Sequence, residues 1–232
     1  MNASPSSTVP APDLVAPWQT RLLQRMRYLW WVKFLGVCGF MWPFFISYFH
    51  TLRNPQYEVV VMPLTWLDQA VAFQPHALWV YLSLWLYVGV APGLLLTFRE
   101  LVVYALWIGA LCVVGLACFH FWPTAVPKPA MDLSVYPGFA LVQGVDAAGN
   151  ACPSLHVATA AFTALWVEHV LRSIGAPLWL RASNGLWVSA IVWSTMATKQ
   201  HVAWDVAAGL LLALVFAALS LAAHRSVSTP AR

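Results

Sequence analysis

Long apolar stretches alternate with short polar segments along most of the chain. Six of them are long enough to suggest membrane helices: roughly Tyr28–Phe49, Ala77–Phe98, Leu101–Phe121, Ser154–Leu171, Gly185–Thr198 and Trp204–Ala223. About 20 apolar residues in a helix cross a hydrocarbon core about 30 Å thick. A helix also satisfies its own backbone hydrogen bonds in lipid, where water is absent. The pattern therefore predicts an all-α polytopic membrane protein built as a bundle of six transmembrane helices.

The remaining segments suggest a domain organisation around this bundle. Residues 1–17 are rich in Ser and Pro and lack the basic-then-apolar order of a cleavable signal peptide, which predicts a disordered tail. Residues 18–27 mix apolar side chains with three arginines, which predicts a short amphipathic helix on an anionic membrane surface. Residues 28–223 then form the transmembrane domain, and residues 224–232 form a cytoplasmic tail.

The composition agrees with lipid as the main solvent. Of the 232 residues, 61% are hydrophobic and only 9% are charged, which is more apolar than a soluble domain of this size requires. The formal net charge is +4, but no basic run is long enough to follow a nucleic acid. We therefore expect membrane lipids as partners and no nucleic acid.

The distribution of basic residues predicts the orientation, because Lys and Arg near span ends are retained in the cytoplasm. With the amino terminus inside, eight arginines lie on the cytoplasmic side, against Arg53, Lys128 and Lys199 outside. The loop after the third stretch, the start of the fourth and the joint between the fifth and sixth then lie on the outer face. We expect a protein of the bacterial inner membrane whose polar site faces outward.

Two histidines and a carboxylate lie at that outer face. His156 and His201 are 45 positions apart, enough for one helix down, a short turn and one helix back. His201 and Asp205 are four apart and share one side of a helix, so the carboxylate can accept a proton from one imidazole nitrogen. That contact fixes the tautomer and leaves the other nitrogen to attack an electrophile.

An anion site is predicted beside these histidines. Ser154 lies in the opening turn of the fourth stretch, directly after Pro153, where backbone N–H groups and the helix dipole favour an anion. Lys128 and Lys199 are candidate cations for the same anion. The set of side chains suits a phosphate group. No second acidic residue is near enough in the sequence to complete a catalytic metal site, so we expect neither a metal nor another cofactor.

These residues resemble the phosphatidic acid phosphatase type 2 superfamily. The pattern of that family is K-x6-R-P, then P-S-G-H, then S-R-x5-H-x3-D, carried on a six-helix membrane core in its lipid-directed members. The likeness covers roughly Phe121 to Gly209. It implies a metal-independent lipid phosphatase, or a phosphotransferase that acts on a lipid phosphate or phospho-headgroup.

The resemblance also implies a role for each site residue. His201 would be the nucleophile that forms a phosphohistidine, Asp205 would orient it, and His156 would be the general acid that protonates the leaving oxygen. Ser154 and Lys128, the latter at the Arg of the first motif, would bind the phosphate.

Three positions depart from the family pattern. Phe121 stands at the Lys of the first motif, Leu155 at the Gly of the second and Thr195 at the Arg of the third. Two phosphate-clamping cations are thus missing, although Lys199 can replace part of the charge. The third motif resembles the branch that contains inositol phosphorylceramide and sphingomyelin synthases, whose last motif also lacks that Arg. Membership of this branch would imply transfer of a phospho-headgroup between lipids.

Other interpretations of the same residues remain open. A metal-dependent hydrolase could use His156, His201 and Asp205 as zinc ligands. A transporter or scaffold could bind an anionic lipid head at these helix ends without catalysis. Taken singly, His201 and Asp205 could be a structural pair, Ser154 a simple helix cap and Lys128 a plain loop cation.

Overall fold

The structure, a computed structural model, describes residues 16–127, 135–136, 138–139 and 149–228, with side chains described as far as residue 224. Its helices are α1 (Trp18–Arg27), α2 (Trp30–Arg53), α3 (Trp66–Ala70), α4 (Ala77–Leu82), α5 (Leu84–Tyr87), α6 (Val90–Leu94), α7 (Phe98–Phe121), α8 (Leu155–Ser173), α9 (Leu178–Ala197) and α10 (Ala203–Ser228). Two short strands, β1 (Val60–Val61) and β2 (Thr124–Ala125), pair in parallel. The chain is therefore mostly helical, as predicted.

Within the described residues, three helices are long and apolar enough to cross a membrane: α2, α7 and residues Ala203–His224 of α10. This finding agrees with a membrane protein. The second predicted stretch is divided into α4, α5 and α6, and the fourth and fifth form α8 and α9. The arrangement of six spans stays a prediction.

Helix α1 covers the ten residues for which an amphipathic helix was predicted. It is anchored to the bundle by Arg25, whose Nη1 donates a hydrogen bond to the carbonyl oxygen of Leu94 at 3.2 Å. Trp18 packs edge-on against Trp179 of α9, with ring centroids 6.1 Å apart. The position of α1 at a membrane surface, like the disordered tail, stays a prediction.

Helix α8 lies at the centre of the bundle. It packs against α7, α9 and α10 and also contacts α5 and α6. Phe162 and Trp166 are fully buried on it, and Trp166 Nε1 donates a hydrogen bond to Ser220 of α10 at 3.0 Å. In lipid, close packing and hydrogen bonds rather than water exclusion hold helices together. Because α8 is surrounded by other helices, it can carry polar residues, and these lower its mean hydropathy.

The loops at one end of the bundle are joined by backbone hydrogen bonds. The carbonyl of Thr124 in β2 accepts from the N–H of Ala151, and its own N–H donates to the carbonyl of Gly149. Asn150 Nδ2 donates to the carbonyl of Tyr48 at 3.0 Å, near the end of α2. These contacts determine where the chain enters α8, and the candidate site begins at that point.

Candidate active site

The two predicted histidines lie side by side in the structure. His156 is in the first turn of α8, and His201 lies two residues before α10 begins. Their ring centroids are 5.6 Å apart and the rings are inclined at 56°. Both side chains are buried, with 9% of His156 and 6% of His201 exposed. The structure therefore brings together two imidazoles from separate parts of the chain, while their catalytic roles stay predictions.

His201 contacts Asp205 as predicted, but it lies in the turn before α10 and not on the helix itself. Its Nδ1 lies 2.9 Å from Asp205 Oδ2, and the carboxylate is fully buried. An ionised carboxylate can only accept hydrogen bonds, so in the tautomer that fits this contact Nδ1 carries the proton and Nε2 the lone pair. The backbone N–H of His201 also donates to the carbonyl of Thr195 at 3.0 Å. The ring and its backbone are thus both held.

Two aromatic residues that sequence reasoning missed hold His156. The hydroxyl of Tyr81, on α4, lies 2.8 Å from His156 Nε2, and the two rings are stacked with centroids 4.7 Å apart. Trp85 of α5 meets the same imidazole edge-on at 5.4 Å. Tyr81 is only 2% exposed. The signal in the sequence was the position of Tyr81 within an apolar stretch. A buried Tyr usually has a hydrogen-bond partner for its hydroxyl.

Ser154 links α8, which carries His156, to α10, which begins just after His201. Its Oγ accepts a hydrogen bond from Val157 N at 3.2 Å and so caps α8. Its backbone N–H donates to the carbonyl of Asp205 at 2.9 Å, which links the start of α8 to the first turn of α10. Its role as a cap is therefore seen directly, and phosphate binding by Ser154 stays a prediction.

The structure describes one of the two predicted cations. Lys199 lies in the turn before His201 with a left-handed φ of 58°, and its Nζ donates to the carbonyls of Asp68 at 3.1 Å and Val71 at 2.5 Å. Two of its three donors are thus used by backbone oxygens. Lys128 lies outside the described residues. Thr195, at the Arg of the third motif, is fully buried, and its hydroxyl donates to the carbonyl of Val192.

Asp68 is a further residue that sequence reasoning missed. Its Oδ2 accepts from the N–H and the hydroxyl of Thr65, both at 2.7 Å, in a capping box for α3. Its Oδ1 accepts from the N–H of Ala203 at 2.8 Å, the first residue of α10. The Thr65-x-x-Asp68 spacing is visible in the sequence. The contact with Ala203, 135 positions away, is not visible, yet it holds the helix start next to His201.

The other nucleophile candidate near the site is a thiol. Burial raises the pKa of Cys152 to about 11, and the Asp205 carboxylate adds to the shift. Because the thiolate is the reactive form, this shift lowers the reactivity of Cys152 at neutral pH.

The zinc alternative needs three ligands arranged around one point. Among the described residues, no group of three or more His, Cys, Asp or Glu side chains is arranged to hold a metal ion. Asp205 is instead directed at Nδ1 of His201. Metal independence stays a prediction.

Gly209 permits the close approach of α10 to α8, and its replacement by Ala tests that approach. A Cβ there would lie 2.5 Å from Ser154 O and 3.2 Å from Val157 Cβ, so the helices must separate. Because a displacement of about 1 Å can cost about a hundredfold in rate, we expect G209A to lower kcat about 10- to 100-fold and to lower Tm. G185A, at an exposed position of α9 where a Cβ meets nothing within 4 Å, is the control. Wild-type activity and Tm in G209A would contradict the close packing.

Comparison with known proteins gives one match. A family model described as the PAP2 superfamily matches residues 58–219, a region that runs from β1 to α10 and contains both histidines and Asp205. No match was found among curated proteins or among solved structures.

Proposed function

Because the chain belongs to the PAP2 superfamily, we propose that it is a membrane enzyme that takes the phosphoryl group of a lipid phosphate onto His201. Membership of the superfamily indicates phosphatase-type activity. The observation that supports the proposal most is the convergence of His156 and His201, with ring centroids 5.6 Å apart, next to a fully buried Asp205. A structural His–Asp pair alone does not account for the second imidazole.

In the first step, Nε2 of His201 attacks phosphorus in line with the oxygen that joins phosphorus to the lipid. The N–P bond forms, the P–O bond breaks, and His156 gives its proton to the departing oxygen. Asp205 stabilises the positive charge on the His201 ring through Nδ1 at 2.9 Å. Tyr81 and Trp85 hold His156 in position for the transfer.

In the second step, an acceptor hydroxyl attacks the phosphohistidine. His156, now neutral, removes the proton of the acceptor, the P–N bond breaks and His201 returns to its starting form. Water as the acceptor gives phosphatase activity. A lipid hydroxyl as the acceptor gives transfer between lipids.

The Asp205→Asn substitution tests the orienting carboxylate. A neutral amide cannot stabilise the imidazolium and can present an N–H to Nδ1, so we expect kcat to fall about a hundredfold or more with a much smaller change in KM. The control is Glu58→Gln, which removes an exposed negative charge between α2 and β1. An Asp205→Asn variant that keeps half or more of the wild-type kcat would contradict this role.

Headgroup transfer is a second candidate for the same site. The observation in its favour concerns the cations among the described residues: Thr195 replaces the motif Arg, and Lys199 is bound to backbone carbonyls. A phosphodiester carries less charge than a terminal phosphate and needs fewer cationic donors. With ceramide or diacylglycerol as the acceptor, such an enzyme exchanges a phospho-headgroup.

We also propose that the site faces the outer side of a bacterial inner membrane. His156 and His201 lie at the start of α8 and just before α10, and the ion pairs of Glu168 with Arg172 and Arg181 lie at the other end of α8. The excess of arginine at that other end supports a cytoplasmic location for it. Helices α8 and α9 and the segment α4–α6 would complete six spans.

One experiment separates these possibilities. Purified protein is offered phosphatidate, a polyprenyl diphosphate, or a phospholipid with ceramide or diacylglycerol, and free phosphate and exchanged headgroup are both measured. Phosphate release supports the phosphatase, and a new headgroup lipid supports the transferase. Binding of these lipids without either product would overturn both in favour of a non-catalytic binder of anionic lipids.

A further inference from the structure

An apolar groove leads away from the candidate site. It has a volume of about 230 Å³ and lies between α2 and α7, with walls completed by α5, α6 and α8. His156 and Leu155 line one end, and Lys33 lines the other. The wall side chains between these ends are almost all aliphatic or aromatic.

The groove runs along most of the bundle. On α2 its lining residues extend from Val32 to Tyr48, which at 1.5 Å per residue is about 24 Å. On α7 they extend from Phe98 to Cys112, about 21 Å by the same rise. These lengths approach the thickness of a hydrocarbon core, about 30 Å.

The charged residue that lines the far end of the groove, Lys33, is buried. Lys33 is 6% exposed, and its Nζ donates to the carbonyls of Arg25 at 2.6 Å and Gly93 at 2.9 Å. Its ammonium is therefore bound to the ends of α1 and α6, and its methylene groups face the groove. A surface of this kind suits a hydrocarbon and offers no second anion site.

The dimensions of the groove suit a single hydrocarbon chain. Pockets that enclose a whole drug-sized ligand have volumes of about 300–1,000 Å³, more than this groove offers over its greater length. We propose that the groove binds one hydrocarbon chain of the lipid phosphate whose phosphorus lies between His156 and His201, and that its depth determines which chain lengths are preferred. This inference rests on the proposed function and adds the chain specificity of the substrate.

Gly36 offers a way to shorten the groove. It lines the wall on α2, about 18 Å along the helix from Tyr48, and a Cβ there meets nothing within 4 Å. Gly39 lies on the same helix, and a Cβ there also meets nothing within 4 Å, but it does not line the groove. Leucine at either position is compatible with the helix. The two glycines form a matched pair.

The test uses hexyl, dodecyl and octadecyl phosphate with wild-type protein, G36L and G39L in lipid nanodiscs. A hexyl chain ends before Gly36, and an octadecyl chain passes it. We expect G36L to lower the ratio of kcat/KM for octadecyl over hexyl phosphate about tenfold or more, because displacing about two methylene groups from an apolar site has that effect on affinity. In G39L we expect the wild-type ratio.

Dissociation constants for the same three phosphates separate this inference from the proposed function. In G36L only, we expect the preference for the longer chain to fall in the dissociation constants as it does in kcat/KM. Chain-dependent binding without turnover would overturn the proposed function and support the groove. Turnover with the same chain preference in wild type, G36L and G39L would overturn the groove and leave the proposed function supported.

Discussion

Replacement of His201 by Gln is expected to lower kcat/KM for a lipid phosphate by at least about 10⁴-fold, because the attacking nitrogen is lost. Gln keeps a polar side chain of similar reach, so folding should be little affected. The measurement is phosphate release, with thermal unfolding as a check on the fold. Asp205 remains buried in the variant, and a modest decrease in Tm is expected.

The matched control is the same substitution at His50, an exposed histidine near the end of α2. His50→Gln should retain wild-type kcat/KM and Tm. If His201→Gln keeps more than about a tenth of the wild-type rate, the ring is not the nucleophile. The His201–Asp205 contact would then have to be structural.

Replacement of His156 by Gln is expected to lower the rate with a lipid phosphate about 10²- to 10⁴-fold, the usual contribution of a general acid. The loss should depend on the leaving group. An alkoxide needs a proton as it departs, whereas the phenolate of p-nitrophenyl phosphate does not. With p-nitrophenyl phosphate we therefore expect a loss of at most about tenfold.

The comparison between the two substrates distinguishes acid catalysis from a structural role. Tyr81 and Trp85 pack on His156, so a change that merely disturbed this packing would affect both substrates equally. Equal losses with lipid phosphate and p-nitrophenyl phosphate would contradict the general acid. A larger loss with the lipid phosphate would support it.

The apolar pattern predicted most of the helices but not where one of them breaks. The stretch Ala77–Phe98 has the length and hydropathy of a single span, yet it forms α4, α5 and α6. Gly89 immediately precedes α6, and Pro92 within α6 has no N–H for the helical ladder. Both residues were visible in the sequence, but their effect on the helix depends on neighbours that only the packed structure supplies.

The contacts in the candidate site also differ in how far the sequence could predict them. The four-residue spacing indicated the His201–Asp205 contact, although His201 precedes α10, and the proximity of His156 follows from two helices joined by a short turn. The contact of Tyr81 with His156 joins residues 75 positions apart, and no periodicity predicts such a contact. The hydroxyl of Ser154 caps α8, which its position after Pro153 allowed, and its predicted contact with phosphate stays a prediction.

The most direct test of the account is the location of the phosphoryl group during turnover. Wild-type protein is mixed with a radiolabelled lipid phosphate, quenched within a single turnover under alkaline denaturing conditions, digested and mapped by mass spectrometry. The account predicts an acid-labile, alkali-stable phosphate on the peptide that contains His201, present in His50→Gln and absent from His201→Gln. Product formation with no covalent phosphate, or with phosphate on His156, would contradict it.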